Sequence, residues 1–198
     1  MFVSAEIKIR SAHELHRYEQ VNQKRGLPLK PSIREFRDYD AHEVYALVSD
    51  VYMTSDMMSE NLEEKFPTPE SFQRYMTELE SRPGSVALVA EVEGELCGYL
   101  TILPRYPAKL RHTSELTMGV HHTARGQGIG KLLLKEALQR AHESGVLEII
   151  YLMVRADNTV AIRLYENMGF DHVALLRNDT KTPDGYYNGC LMRKFVKN

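Results

Sequence analysis

The sequence predicts an α/β (α+β) fold in which a mixed, mostly antiparallel central sheet of six to seven strands is flanked by helices. Three observations predict it. Two apolar runs joined by a turn at Glu93-Gly94 predict a β-hairpin. Two strand–helix units come next, and a second hairpin, turning at Asp184-Gly185, follows them. Hairpins give antiparallel pairs and strand–helix units give parallel ones, so this order predicts a single mixed sheet.

Upstream of the first hairpin, the pattern predicts one short strand and two helices. Ile33 to Phe36 forms the strand, and Asp40 can cap the first helix, whose apolar positions recur at helical spacing. Thr68 is typical of the N-cap of a second helix that continues to about Ser81. Residues 52–67, between the two helices, are rich in Met and acidic residues and are expected to be irregular.

The other elements follow from apolar runs of strand length and from helical spacing of apolar residues. In chain order they are strands at 86–91, 96–103 and 113–120, a helix at 128–144, a strand at 147–154, a helix at 159–168 and strands at 173–176 and 186–195. Residues 32–198 are therefore predicted to form the main domain. Residues 1–31 are a polar extension, in which Val3 to Ile9 alternate like a strand that pairs either with the same sheet or with a second subunit.

Composition limits the partners and the cellular setting. The 198 residues include 25 Lys and Arg against 27 Asp and Glu, so no general affinity for nucleic acid is expected. The apolar runs are too short to span a membrane, and the N-terminus lacks the apolar core of a signal peptide. Cys97 and Cys190 do not suggest a disulfide framework, which favours a reducing, cytoplasmic setting.

The sequence also predicts that the protein uses no metal. No group of Cys and His residues has the spacing of metal ligands. His121 and His122 are adjacent, and neighbouring residues on a regular backbone are expected to project their rings in different directions.

The most informative stretch is the glycine-rich segment from Val120 to Lys131. It follows a strand of alternating residues, Glu115 to Val120, and precedes a helix with leucines at helical spacing. Backbone N–H groups converge at such a strand–turn–helix junction, and the helix dipole adds partial positive charge. The segment is therefore predicted to bind a phosphate or a pyrophosphate.

The spacing of the glycines decides which phosphate loop this is. A Walker A loop would need a glycine where Arg125 stands and a Ser or Thr where Leu132 stands. A dinucleotide-binding loop would need its third glycine at Lys131. The remaining pattern is Arg/Gln-x-x-Gly-x-Gly/Ala, which Arg125, Gly128 and Gly130 satisfy. This pattern resembles the acyl-CoA pyrophosphate loop of the GNAT superfamily of N-acetyltransferases.

A second block strengthens the resemblance. The apolar strand at 147–154 leads to Asn158, which is suited to cap a helix that Gly169 ends. The second signature of the family is Asn, Ala, Leu-Tyr-Glu and Gly-Phe in this order, and the chain is similar to it at Asn158, Ala161, Leu164-Tyr165-Glu166 and Gly169-Phe170. The resemblance covers the chain from about residue 32 to the end.

The resemblance implies acetyl-CoA as the co-substrate and direct transfer of its acetyl group to an amine in a ternary complex. The Val120 N–H would point at the thioester carbonyl, and glycine at 126, 128 and 130 would keep the approach to the pyrophosphate free of Cβ atoms. The residues implied to bind the cofactor are Met118, Gly119, Val120, Arg125, Gly126, Gln127, Gly128, Ile129, Gly130, Lys131 and Asn158.

Two residues are implied to be catalytic. Tyr165 matches the family's general acid near the thioester sulfur, where a phenol with an ordinary pKa near 10 would be matched to a thiolate; the alternative is a tyrosine that only packs. Glu115 approximately matches the glutamate that deprotonates the amine through water in some members. His112, His121 and solvent are the alternatives, and the glutamate position that other members use is occupied here by Met153.

The acceptor is the least determined part. In this family the acceptor pocket is lined by the first two helices and by both hairpins, and here those regions supply Tyr45, Tyr52, Met53, Met57, Met58, Tyr99, Arg105, Tyr106, Tyr186 and Tyr187. The segment 184–192 resembles the end of amino-acid and small-amine acetyltransferases, which favours a small-molecule amine such as an amino acid or a polyamine-like compound. The alternatives are a protein or peptide N-acetyltransferase and a non-catalytic acyl-CoA-binding sensor. A homodimer is possible, because relatives of this fold are often dimers.

Overall fold

A seven-stranded sheet forms the centre of the computed structural model, which describes residues 31–196. The strands are β1 (Ser32–Glu35), β2 (Val86–Val92), β3 (Glu95–Pro104), β4 (Thr113–Val120), β5 (Ile149–Arg155), β6 (Asp171–Thr182) and β7 (Gly185–Phe195). Their order across the sheet is β1-β2-β3-β4-β5-β7-β6. Only β4 and β5 pair in parallel, and the other five pairs are antiparallel. The predicted mixed, mostly antiparallel sheet is confirmed.

Five helices accompany the sheet in the described part of the chain: α1 (Ala41–Met53), α2 (Leu62–Lys65), α3 (Pro69–Ser81), α4 (Ile129–Glu143) and α5 (Thr159–Asn167). The predicted N-caps at Thr68 and Asn158 are confirmed, because their side chains accept hydrogen bonds from Ser71 N and Ala161 N. Asp40 precedes α1, but its carboxylate pairs with Arg34 instead of capping the helix.

The two faces of the sheet carry different helices. Alternate residues of a strand point to opposite faces. In β4, Gly119 lies against Val51 of α1, whereas Met118 and Val120 lie against Gly130 of α4. Helix α1 therefore covers one face and α4 the other. A buried cluster that includes Val48, Phe72 and Tyr99 joins α1 and α3 to the sheet.

Two elements differ from the prediction. Helix α2 lies in the segment expected to be irregular, because a single turn is too short to show an apolar period. Strand β6 extends to Thr182, beyond the predicted 173–176, since its side chains are mostly exposed and its extent is set by pairing with β7. The predicted pairing of residues 3–9 lies outside the described residues. Among residues 31–196, no helix is long and apolar enough to cross a membrane.

Candidate active site

A cleft opens between the two parallel strands at the centre of the sheet. β4 pairs with β5 only over Thr113–Glu115 and Ile149–Tyr151, although β4 stays paired with β3 as far as Val120 and β5 with β7 as far as Arg155. The two strands therefore diverge beyond Glu115. Beyond the divergence, β4 leads to the N-terminus of α4 and β5 leads to the N-terminus of α5, and each of these termini is the positive end of a helix dipole.

Alternate backbone groups of β4 face this cleft. His121 N donates to Cys97 O over 2.9 Å, which marks a hydrogen-bonded pair in the antiparallel ladder with β3. Hydrogen-bonded pairs alternate along such a ladder, so the backbone groups of Gly119 also face β3, whereas those of Met118 and Val120 face β5. An extended ligand could pair with these two residues. Gly119, which was predicted with them, turns its backbone away from the cleft.

The glycine loop that follows β4 adopts left-handed backbone at two positions. Gly126 has φ +77° and Gly128, the N-cap of α4, has φ +80°, a region that L-residues rarely adopt. A Cβ built at either position would have no atom within 4 Å, so both face open space. The first-turn N–H groups of α4 have no partners within the helix. The loop therefore has the shape and polarity of an anion site.

Gly130 has a packing role that was not predicted. A Cβ there would lie 3.0 Å from Met118 Cε and 3.3 Å from Leu164 Cδ2. The absence of a side chain allows α4 to pack closely on β4 and α5. The glycine pattern combines two loop positions with one packing position.

Two side chains fix the shape of the loop. Arg125 donates from Nε to Val120 O over 3.0 Å, and its two other nitrogens donate to Thr54 O and Oγ1 over 3.1 and 2.9 Å. Gln127 Nε2 donates to Thr123 O over 3.0 Å. Arg125 thus ties the loop to the end of α1, while Lys131 stands exposed on the first turn of α4.

Tyr165 of α5 is buried, with 8% of its surface exposed, and its ring packs 5.7 Å from that of Phe170. Burial raises the pKa of Tyr165 to about 12, so the hydroxyl is fully protonated at neutral pH. The sequence alone implied a phenol with an ordinary pKa near 10. The pKa of Tyr165 therefore matches that of the leaving thiol only if the sulfur is buried as well. Desolvation raises the pKa of a thiol, as it raises that of a phenol.

Glu115 lies at the point where β4 and β5 separate. Its side chain is 66% exposed and its Oε1 lies 3.5 Å from Arg105 Nε. It shares a face of β4 with Thr117, and Thr117 lines a largely apolar pocket on the α1 side of the sheet. Glu115 is therefore on the same side of the sheet as this pocket.

The pocket is walled by aromatic side chains from α1, α3, β3 and the segment around α2. Tyr52 and Tyr99, two of the residues predicted to line an acceptor site, line this pocket together with Phe66, Phe72 and Tyr75. Burial raises the pKa of Tyr99 above its ordinary range, and the nearby hydroxyls of Tyr52, Tyr75 and Tyr165 raise it further. Met53, Tyr106 and Tyr186, also predicted to line the acceptor site, are largely exposed instead.

Lys65 is a polar pocket residue that the sequence did not indicate. Burial lowers the pKa of its ammonium, but the hydrogen bond to Glu60, 2.7 Å away, and the neighbouring tyrosines outweigh burial, so that the net pKa is raised. The side chain thus remains charged beside Tyr52. No periodic signal marks it, because it lies in the single turn of α2.

Arg155 is a second residue that sequence reasoning missed. Its guanidinium is buried, donates to Asp56 O over 2.5 Å and to both oxygens of Asp157, and lies 3.7 Å from the centre of the Tyr187 ring. It therefore fastens the segment after α1 to the ends of β5 and β7. Its position directly before the Asp157-Asn158 turn is the only sequence signal it carries.

The expectation for the histidine pair was wrong. The rings of His121 and His122 lie 4.4 Å apart, centre to centre, and both approach Asp50 of α1. The reason is that residues 122–124 form a 3₁₀ turn, so the side chains do not alternate as they would in a strand. Burial lowers the pKa of His121, although the Asp50 carboxylate opposes this.

Comparison with known proteins identifies the family. The sequence profile described as "Acetyltransferase (GNAT) family" matches residues 51–170. An N-alpha-acetyltransferase of Sulfurisphaera tokodaii is 34% identical over 98 residues, which are 46% of this chain and 59% of that protein, so the chain spans less than two thirds of this relative. The L-amino acid N-acetyltransferase AaaT of Escherichia coli is 26% identical over 137 residues, 69% of this chain and 79% of that protein.

Solved structures agree with this result. An acetyltransferase of the GNAT family from Streptococcus pneumoniae superposes with a TM-score of 0.79 at 26% identity, over 85% of this chain and 100% of that one. The yncA protein of Salmonella typhimurium, solved with its cofactor acetyl-CoA, shares the fold with a TM-score of 0.77 at 19% identity, over 85% of this chain and 95% of that one. The chain belongs to the GNAT family of acetyltransferases.

Proposed function

We propose that the protein is an acetyl-CoA-dependent N-acetyltransferase that acetylates the primary amine of a small molecule, with an amino acid as the first candidate. The observation that carries the proposal is the divergence of β4 from β5, which opens a cleft toward the glycine loop at the N-terminus of α4. An extended acyl-pantetheine chain and an adjoining pyrophosphate match these two features in shape and polarity.

The chain's own groups suit acetyl-CoA at each part of the cleft. Met118 would pair with a pantetheine amide, the Val120 N–H would face the thioester carbonyl because Arg125 Nε already donates to Val120 O, and the loop from Gly126 to Lys131 would hold the pyrophosphate. Asn158 uses Oδ1 to cap α5, which leaves its amide nitrogen as the donor for the cofactor. The bound cofactor supplies an activated acetyl group as a thioester.

Transfer forms one bond and breaks another. The amine nitrogen attacks the thioester carbonyl carbon, the C–S bond breaks, and the amine gives up one proton while the departing thiolate takes one. Val120 N–H is oriented to stabilise the negative charge that develops on the carbonyl oxygen, as an oxyanion-hole donor does. Tyr165, protonated and buried, supplies the proton to sulfur.

Glu115 accepts the proton of the amine through water in this scheme. Its support is its position on the same face of β4 as Thr117 and the aromatic pocket. Glu115→Gln should lower kcat roughly 100-fold or more, whereas Glu143→Gln on the exposed side of α4 should leave it unchanged. If the Glu115→Gln enzyme turns over like the wild type, solvent and not Glu115 accepts the proton of the amine.

The acceptor proposal draws on the pocket and on one relative. The aromatic walls formed by Tyr52, Phe66, Tyr75 and Tyr99 suit a small apolar group. The broader of the two protein matches, over 69% of the chain, is to an enzyme named for L-amino acids. A second candidate, the N-terminal amine of a protein, is favoured by the relative named N-alpha-acetyltransferase.

An amine panel tests the proposal. Full-length protein is incubated with acetyl-CoA and, separately, with L-amino acids, polyamines and short peptides with free N-termini, and thiol release is measured with a chromogenic disulfide. Thiol release with a free amino acid, absent with its N-acetyl form, is the expected result. Release with peptides alone would support protein acetylation, and no amine-dependent release with any acceptor would overturn both.

Two further expectations remain proposals. A homodimer is supported by Val173, Leu175 and Leu176, apolar residues exposed on the edge strand β6. Light scattering of the full chain, and of a variant lacking residues 1–30, gives the oligomeric state and shows whether the extension sets it. A reducing, cytoplasmic setting is supported by the free thiols Cys97 and Cys190, both buried, and cell fractionation tests it.

A further inference from the structure

A group of three metal-ligand side chains lies outside the cleft, where the end of α1 meets the segment after β4. His122 Nδ1 is 3.0 and 3.2 Å from the two oxygens of Asp50, and His121 Nε2 is 3.5 Å from Asp50 Oδ2. One ligand atom from each of the three residues lies within 4.8 Å of the other two. Neither the transfer chemistry nor the glycine loop uses these atoms.

Two of the three spacings between ligand atoms match those around a tetrahedral ion. Zinc binds imidazole nitrogen and carboxylate oxygen at roughly 2.0–2.2 Å, so ligand atoms around a tetrahedral ion are about 3.3 Å apart. The 3.2 Å between His122 Nδ1 and Asp50 Oδ2 and the 3.5 Å between His121 Nε2 and the same oxygen are close to this value. The third pair of ligand atoms, the two imidazole nitrogens, lies within 4.8 Å.

The surroundings hold the ligands in place. His121 Nδ1 lies 2.9 Å from Thr123 Oγ1 and accepts a hydrogen bond from the Thr123 N–H over 3.4 Å, and these contacts hold the ring with Nε2 toward Asp50. The His122 N–H donates to Asp50 Oδ2 over 3.4 Å. Arg125 ties the same segment to Thr54, four residues beyond Asp50. The two elements that carry the ligands are thus already joined.

We propose that Asp50, His121 and His122 form a binding site for Zn²⁺, with water completing the coordination. Two neutral imidazoles and one carboxylate are a donor set that zinc accepts, whereas magnesium and calcium prefer oxygen alone. The positive charge of Arg125 lies near the cluster and opposes a cation, so affinity is below that of a four-ligand structural site. The ion would link α1 to the entry of the glycine loop. The proposal does not depend on the acetyl-transfer function.

The test is zinc binding to the metal-free full-length protein. ZnCl₂ is titrated in competition with a chromogenic chelator, without acetyl-CoA. One ion per chain is expected, and Asp50→Asn and His122→Gln should each weaken binding at least about 10-fold. Two controls retain the cluster and should bind as the wild type: His142→Gln on α4, and the pair His13→Gln and His16→Gln in the extension.

The outcomes separate the proposal from its alternatives. No saturable binding by the wild type, loss of binding in either control, or unchanged binding in folded Asp50→Asn would overturn it. X-ray absorption of the zinc-loaded wild type does not depend on whether the variants fold. Two imidazoles and an oxygen shell support the site, and sulfur ligation or fewer than two imidazoles contradicts it.

Discussion

Replacing Gly119 by alanine tests how the acceptor side of the sheet is built. Gly119 lies in β4 directly opposite Tyr99 of β3. A Cβ at this position would lie 2.6 Å from Tyr99 Cε1 and 2.9 Å from Val51 Cγ1. Since carbon atoms in contact are about 3.5–4.0 Å apart, the added methyl group overlaps both neighbours by roughly 1 Å.

Neither neighbour can move without loss of packing. Tyr99 and Val51 are 5% and 3% exposed and belong to the same buried cluster. Overpacking of this kind costs about 1–3 kcal/mol, and a loss of about 2 kcal/mol would lower Tm by about 4–8 °C in a chain of this length. Because Tyr99 lines the pocket, KM for the amine should rise while affinity for acetyl-CoA changes little.

Urea unfolding of four proteins measures the effect: the wild type, Gly119→Ala, Tyr99→Leu and the double variant. Leucine at position 99 removes the ring that the new methyl group would strike. The double variant should therefore be less destabilised than the sum of the single variants. A Gly119→Ala protein with the wild-type unfolding midpoint, or strictly additive effects, would refute the reasoning.

Two other predictions concern the acid and the stability of the chain. Tyr165→Phe keeps the packing and removes the hydroxyl, so kcat should fall by roughly 10²–10⁴ under chemistry-limited conditions, with acetyl-CoA affinity unchanged; near-normal turnover would make Tyr165 a packing residue. Burial raises the pKa of Asp40, but hydrogen bonds from Arg34 and the Arg37 N–H outweigh it and lower the pKa. The pair stabilises the fold above the unfolded pKa of about 3.9 and loses its effect as pH falls. Asp40→Asn should therefore cost about 2–3 kcal/mol at pH 7, and equal losses at pH 7 and pH 3 in chemical unfolding would contradict this.

The fold could be predicted from the sequence because its elements carry periodic and capping signals. The leucines of α4, the apolar run of β5 and the N-caps at Thr68 and Asn158 are all local features. Strand β6 was predicted too short because most of its side chains are exposed, so no apolar alternation marks its extent.

The site was predictable only where the chemistry lies within one loop. The left-handed conformation of Gly126 and Gly128 can be predicted from the sequence, because glycine adopts this conformation readily. Contacts between segments that are distant in the chain leave no local pattern in the sequence from which they could be predicted. Asp50 meets His122 across 72 positions, and Arg155 meets Asp56 across 99. The need for glycine at position 119 depends on which residue of β3 lies opposite it. A local sequence pattern does not specify that strand register.

The central claim is that the glycine loop at the end of the β4–β5 cleft binds the pyrophosphate of acetyl-CoA. Calorimetric titration of the wild type, Gly128→Asp and Gly94→Asp with acetyl-CoA tests it most directly. Gly94 is a matched control, because it has φ +88° and open space around its Cβ position, like Gly128, but lies in the β2–β3 turn. A carboxylate within a few ångströms of the pyrophosphate should weaken binding at least about 100-fold in folded Gly128→Asp. Gly94→Asp should bind like the wild type, and equal affinity of all three proteins would contradict the account.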